Sequence, residues 1–174
     1  MTPRLLNQAK VSLKDLPFAG GDKPAASDET FFRWPTLEDL KALKLSEPLK
    51  LTEIRVKGTV GGSLSAIQLV FQNGTESPLF DGKYNNATKI QTYKLSDQPI
   101  TIVSGKAHGD GTFPKKFSLT FKDGSELSIF PQGASGAKGK DPVVEIPPNQ
   151  TIVGIYGSIK INHIFQLGFI VMEQ

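Results

Sequence analysis

The side chains able to do chemistry are few and scattered. There are two histidines, His108 and His163, and no cysteine. Neither histidine has a second histidine or an acidic pair at metal-ligand spacing, which argues against a zinc or iron centre. The lack of thiols removes thiolate clusters, cysteine nucleophiles and disulfide scaffolds together. Serine fares no better: Gly133-Ala-Ser-Gly136 and Gly62-Ser-Leu-Ser both lack the closing glycine of a nucleophile elbow. The run GASGAKGK over 133–140 looks like a phosphate loop, but Gly133 stands one residue too far from Gly139-Lys140. Asp141-Pro142 follows where such a loop needs a hydroxyl residue and a helix, so the stretch reads as a strand connection. His108-Gly-Asp-Gly111 is too poor in ligands for calcium. The expectation is a protein that is not an enzyme and uses no metal or cofactor. Binding is the chemistry left to explain.

The elements that would position a binding site are easier to read. KFSLTFKDGSELSIF (116–130) alternates Phe117, Leu119 and Phe121 with polar residues, turns at Asp123-Gly124, and returns through Leu127 and Ile129. This predicts a hairpin closed by a two-residue type I′ turn. QLVFQNGTESPLF (68–80) aligns without a gap on SLTFKDGSELSIF (118–130), with Asn73-Gly74 on Asp123-Gly124. A hairpin repeated at a fixed interval points to one unit used several times around a shared core. From Leu49 onward everything reads as strand and turn, which predicts an all-β sandwich, barrel or prism. Ahead of it the spacing predicts one helix over 36–45, with Thr36 and Asp39 as a capping box and Leu37, Leu40 and Leu43 on one stripe. Residues 1–35 are irregular and broken by Pro3, Pro17, Pro24 and Pro35. Within them Phe18-Ala-Gly-Gly21 and Phe31-Phe-Arg-Trp34 each offer a short strand or an anchor, packed on the body or on a partner.

A length of 174 residues fits one domain, and 38% hydrophobic with 21% charged residues is the balance of a globular protein. Net charge is only +3, and the densest lysines (Lys115-Lys116, Lys138 and Lys140) lack the interleaved aromatics of a nucleic-acid groove. No nucleic-acid partner is expected. The longest apolar run, 164–172, is short and interrupted by Gln166 and Gly168, so no membrane span is expected either. The first residues lack the apolar core of a secretory signal, which makes the cytoplasm the expected location.

SLTFKDGSELSIFPQG (118–133) followed by IPPNQTIVGIYGSI (146–159) closely resembles the jacalin-related lectins. LTEIRV (51–56), AIQLVF (66–71) and Ile102-Val-Ser-Gly105 match the same pattern in the same order. The resemblance covers about residues 48–172 and implies a β-prism of three four-stranded antiparallel sheets around a pseudo-threefold axis. It divides the chain into an N-terminal arm (1–47, with helix 36–45) packed outside a prism domain (48–174). It also implies a shallow monosaccharide site at one end of the prism. There a Gly-x-x-x-Asp loop between the last two strands supplies a carboxylate, helped by backbone N–H groups and an N-terminal glycine pair.

In this chain the acid position falls on Ile164 or, with one residue inserted, on Phe165, and the glycine position on Lys160 or Ile161. A pocket without its acceptor loses much of its hold on hydroxyl groups. Asn162 or His163 is a candidate replacement, Asp110 offers a carboxylate from the 105–111 loop, and Gly20-Gly21 offers the glycine pair. The candidate ligand-binding residues are therefore Gly105, Lys106, His108, Asp110, Lys160, Asn162 and His163. Two functions stand open. One is a non-enzymatic binding module with a degenerate carbohydrate site. The other is a structural or assembly subunit whose prism and arm, through Leu5, Leu6, Phe18 and the 31–34 aromatics, make protein–protein contacts in an oligomer or larger assembly.

Overall fold

Where apolar and polar residues alternate between glycine or proline corners, the chain forms strand. The structure is a computed structural model and describes residues 13–20, 28–43, 49–59, 63–109, 111–129 and 139–173. Its elements run β1 (Leu13–Ala19), β2 (Thr30–Trp34), α1 (Leu37–Leu43), β3 (Leu51–Gly58), β4 (Leu64–Phe71), β5 (Phe80–Asp81) and β6 (Gln91–Lys94). They continue with β7 (Ile100–Lys106), β8 (Lys116–Phe121), β9 (Glu126–Ile129), β10 (Val143–Glu145), β11 (Gln150–Lys160) and β12 (His163–Glu173). No described helix is long and apolar enough to cross a membrane.

The strands form three four-stranded sheets, ordered β1-β12-β11-β2, β10-β7-β8-β9 and β5-β4-β3-β6. Each has a consecutive hairpin at its centre (β11–β12, β7–β8, β3–β4), and the strand pairs are antiparallel. This is the β-prism that the family resemblance implies. The repeat is visible in the turns: Gly74 N–H donates to Phe71 O at 3.0 Å, and Gly124 N–H donates to Phe121 O at 2.9 Å.

The turn type differs from the expectation. At both sites only the glycine is left-handed, with φ of 86° at Gly74 and at Gly124. Phe71 and Phe121 bond instead to Thr75 and Ser125, which makes three-residue loops with a glycine bulge. The cause lies in the side chain before each glycine. Asn73 and Asp123 each accept the N–H two residues on, at 3.0 Å, and so sit comfortably at ordinary negative φ.

The arm also differs from the expectation. β1 and β2 lie inside the segment read as packing outside the prism, yet they are the two edge strands of the first sheet. Leu13 pairs with Met172, and Trp34 with Ile155. Pro17 reads as a breaker in the sequence, but on an edge strand its missing N–H faces away from the ladder. Hydrogen bonding therefore gives the prism strands from both sides of the 47/48 boundary. The aromatics of these strands join the sheets. Phe18 meets Phe117 and Phe169 edge-on at 6.3 and 5.7 Å, Trp34 lies 5.6 Å from Phe71, and Phe32 stacks on Phe80 at 4.5 Å. Phe31 alone of the cluster is exposed, at 59%. The helix has the expected cap: Asp39 N–H donates to Thr36 Oγ1 at 3.1 Å, and Thr36 N–H to Asp39 Oδ2 at 2.8 Å. Its last two expected residues, like Leu5 and Leu6, lie outside the described residues.

Candidate functional site

The last hairpin, β11–β12, closes as tightly as a hairpin can. Lys160 pairs with His163, and the two residues between them, Ile161 and Asn162, have φ of 52° and 63°. That is a type I′ turn, the kind expected at Asp123-Gly124 and found here instead. Two other loops press against it. A Cβ on Gly82 would lie 2.3 Å from Asn162 O, so only glycine lets the 81–84 loop lie on the turn. Phe113 N–H donates to Phe165 O at 2.9 Å, which ties in the 107–115 loop.

Each of these loops carries backbone strain. Lys83 (φ 59°), Phe113 (φ 51°), Ile161 and Asn162 are all the left-handed residues other than glycine among the described residues. All four stand at this end. Rings line the junction: Tyr84 lies 4.9 Å from His163, His163 6.2 Å from Phe113, and Phe113 4.8 Å from Phe165 and 5.7 Å from His108. Tyr84, Phe113 and His163 are half-buried. His163 Nδ1 lies 2.5 Å from Ile161 O, which assigns its proton to Nδ1 and leaves Nε2 as an acceptor in the neutral ring.

No family model matches the sequence, and no curated protein matches it. Solved structures do. A single-chain recombinant jacalin superposes with a TM-score of 0.62 over 95% of each chain at 16% identity. Calystegia sepium agglutinin gives 0.61 over 94% of this chain and 97% of its own, at 14% identity. A mannose-binding jacalin-related lectin from Ananas comosus gives 0.59 over 94% and 99%, at 15% identity. The chain has the jacalin-like lectin fold.

Within this jacalin-like prism the expected site residues separate into two groups. Gly105 and Lys106 are strand residues of β7 and are already engaged. A Cβ on Gly105 would meet Lys116 O at 2.3 Å, and Lys106 Nζ pairs with Asp141. Lys160, Asn162 and His163 do come to the junction, and His108 borders it, exposed, with its N–H donated to Thr112 O at 2.8 Å. Lys160 Nζ is held 4.9 Å from the Phe165 ring centre and 3.9 Å from Asp28. Asp110 and Gly21 lie outside the described residues. Gly20 reaches this end despite its distance in sequence, and its carbonyl accepts Gln166 Nε2 at 2.5 Å.

Ile164 and Phe165, at the acid position, are 0% and 8% exposed. Of the described carboxylates near the junction, Asp81 is bound to Lys57 at 3.1 Å and to the Lys83 N–H at 2.8 Å. Among the described residues no three His, Asp or Glu side chains group closely enough to hold a metal ion.

Sequence reasoning does not pick out Tyr84, Phe113 or Gly82. Asp81-Gly-Lys-Tyr84 has the form of a glycine turn followed by an aromatic, but nothing local says which turn it meets. What the junction can do chemically is offer flat ring faces, one imidazole acceptor and turn backbone groups to a small ligand.

Proposed function

We propose that the chain is a non-enzymatic binding module that holds a sugar ring weakly at this junction. The ring stacks its C–H face on the Tyr84, His163 and Phe113 rings and donates a hydroxyl to His163 Nε2, in place of the carboxylate contact. The observation that carries this reading is the convergence of all four left-handed non-glycine residues on one end, since strain of this kind persists where function needs the geometry. The neighbours support the ligand class: one is described as mannose binding, and another, artocarpin, as a complex with mannopentose.

The test is a titration with mannose, glucose and galactose, followed by calorimetry. The expected dissociation constant is on the order of 1 mM, as for a small contact without charge. His163→Ala and Tyr84→Ala should each weaken it about tenfold. Heat signals unaffected by either substitution, or silence across a glycan array, would sink the reading.

One observation favours protein contact as a second reading. Phe31, 59% exposed, lies on β2, which among the described residues is an edge strand of the first sheet. The mass of the chain in solution decides it: an oligomer that Phe31→Ser converts to monomer supports it, and a monomer at all concentrations ends it.

A further inference from the structure

We propose a second ligand site, for a neutral polyhydroxyl compound the size of one sugar ring, at the opposite end of the prism. It does not rest on the reading of the first end. The junction above lies where β7 and β11 finish. A cavity of about 480 Å³ lies where β3, β7 and β11 begin, between Leu51, Ile100 and Ile152. That volume is in the range of small-molecule sites.

Its chemistry is specific. Leu51 and Ile152, both core residues, supply an apolar wall. Three carboxamides, Gln72, Gln98 and Gln150, stand around it. The charged residues of the lining are Lys50 and Asp97, which face each other at 3.8 Å and cancel. The second, independent observation is Gln150 Oε1. Among the described residues it is buried without a hydrogen-bond partner, although the backbone N–H of the same residue is satisfied by Pro147 O at 3.0 Å.

A buried carbonyl oxygen without a donor is rare in a folded protein and calls for a reason. Gln150 lines the cavity, so a ligand O–H that draws its carboxamide toward the cavity is such a reason. An anion would set oxygen against oxygen there. A hydroxyl both donates and accepts, which matches carboxamides that do the same. An apolar wall beside them suits the C–H face of a ring.

The experiment uses the full chain labelled with nitrogen-15, titrated with glucose and with myo-inositol. The readouts are the side-chain amide signals of Gln72, Gln98 and Gln150 and the backbone signals of Tyr84 and His163. Saturable shifts at the three carboxamides are expected. Gln150→Leu should weaken them about tenfold or more while raising the melting temperature of the free protein, because it removes an unpartnered polar atom. If Gln150→Leu does not fold, Gln98→Ala provides the same comparison. Shifts confined to Tyr84 and His163, shifts that never saturate, or unchanged binding in the variants would overturn the second site. Shifts confined to the carboxamides would support it and overturn the sugar reading of the other end.

Discussion

Ile161 occupies a conformation its side chain resists. At φ 52° a β-branched residue crowds its own backbone, at a cost of about 1–2 kcal/mol. The side chain recovers little, since Ile161 is 67% exposed. Ile161→Gly is therefore expected to stabilise the protein by about 1 kcal/mol in urea unfolding, since glycine accepts this conformation freely. A loss of stability would mean that the exposed side chain packs after all. If the residue is kept for contact with ligand, the same substitution should weaken sugar binding. At the repeated turn, Asp123 allows a pH prediction. Hydrogen bonds from the Ser125 hydroxyl, and then from the Ser125 N–H, hold its carboxyl below the ordinary value. A lowered folded pKa means that the ionised form adds stability above the ordinary value, and that this is lost as pH falls through the lowered one. Ser125→Ala should thus unfold more easily than the parent at neutral pH, and the gap should close in strong acid. A gap constant with pH would show that the serine acts otherwise. Both residues show how far local sequence reading reaches. Asp-Gly marks a turn, but its exact form depends on whether the aspartate binds its own backbone. In Ile161-Asn162 only the asparagine favours a turn, and nothing at Ile161 announces its positive φ.

At the scale of elements, the edge strands decide the most. Phe18 of β1 is 7% exposed and touches rings from two sheets. Phe18→Ala should cost about 3–5 kcal/mol, as for other large-to-small changes in a core, measured by thermal or urea unfolding. A cost under about 1 kcal/mol would mean that β1 is peripheral. It also follows that deleting residues 1–35 is a poor probe of assembly. The cut would remove the whole of β1 and β2, leaving β12 and β11 with open edges that invite pairing with other chains. Most strands from β3 onward are legible in the sequence as apolar or alternating runs that end at turn residues, whereas β6 falls in a stretch that reads as a linker. β1 is not, because proline on an edge cannot be told from proline in a loop without knowing which strand lies beside it. The candidate site is legible by half. His163 and Asn162 stand out as the polar residues of the final turn, and Gly20 enters through the family pattern. Tyr84 and Phe113 gain their meaning only when three turns distant in sequence meet.

For the whole molecule, the gapless match of 68–80 with 118–130 marks two of the three sheets, since β4 and β8 hold equivalent places in theirs. The origin of each sheet in the chain differs, however. The third sheet comes from one continuous stretch, β3 to β6, and the second from another, β7 to β10. The first is stitched from β1 and β2 at one end of the sequence and β11 and β12 at the other. That arrangement sets an order of events. On a chain emerging from the ribosome, two faces hold all their strands before β11 exists, while the remaining face must wait for β12. Until then Phe18 and Trp34 have no neighbouring strand to cover them, and two unpaired ribbons trail from a half-built wall. The hairpin that bears Ile161 and His163 is also the last to arrive, so the junction proposed to recognise sugar comes into being only with the final closure. During that interval the apolar faces of β1 and β2 lack their partner strands, and a nascent chain is open to capture by chaperones or by a neighbouring copy.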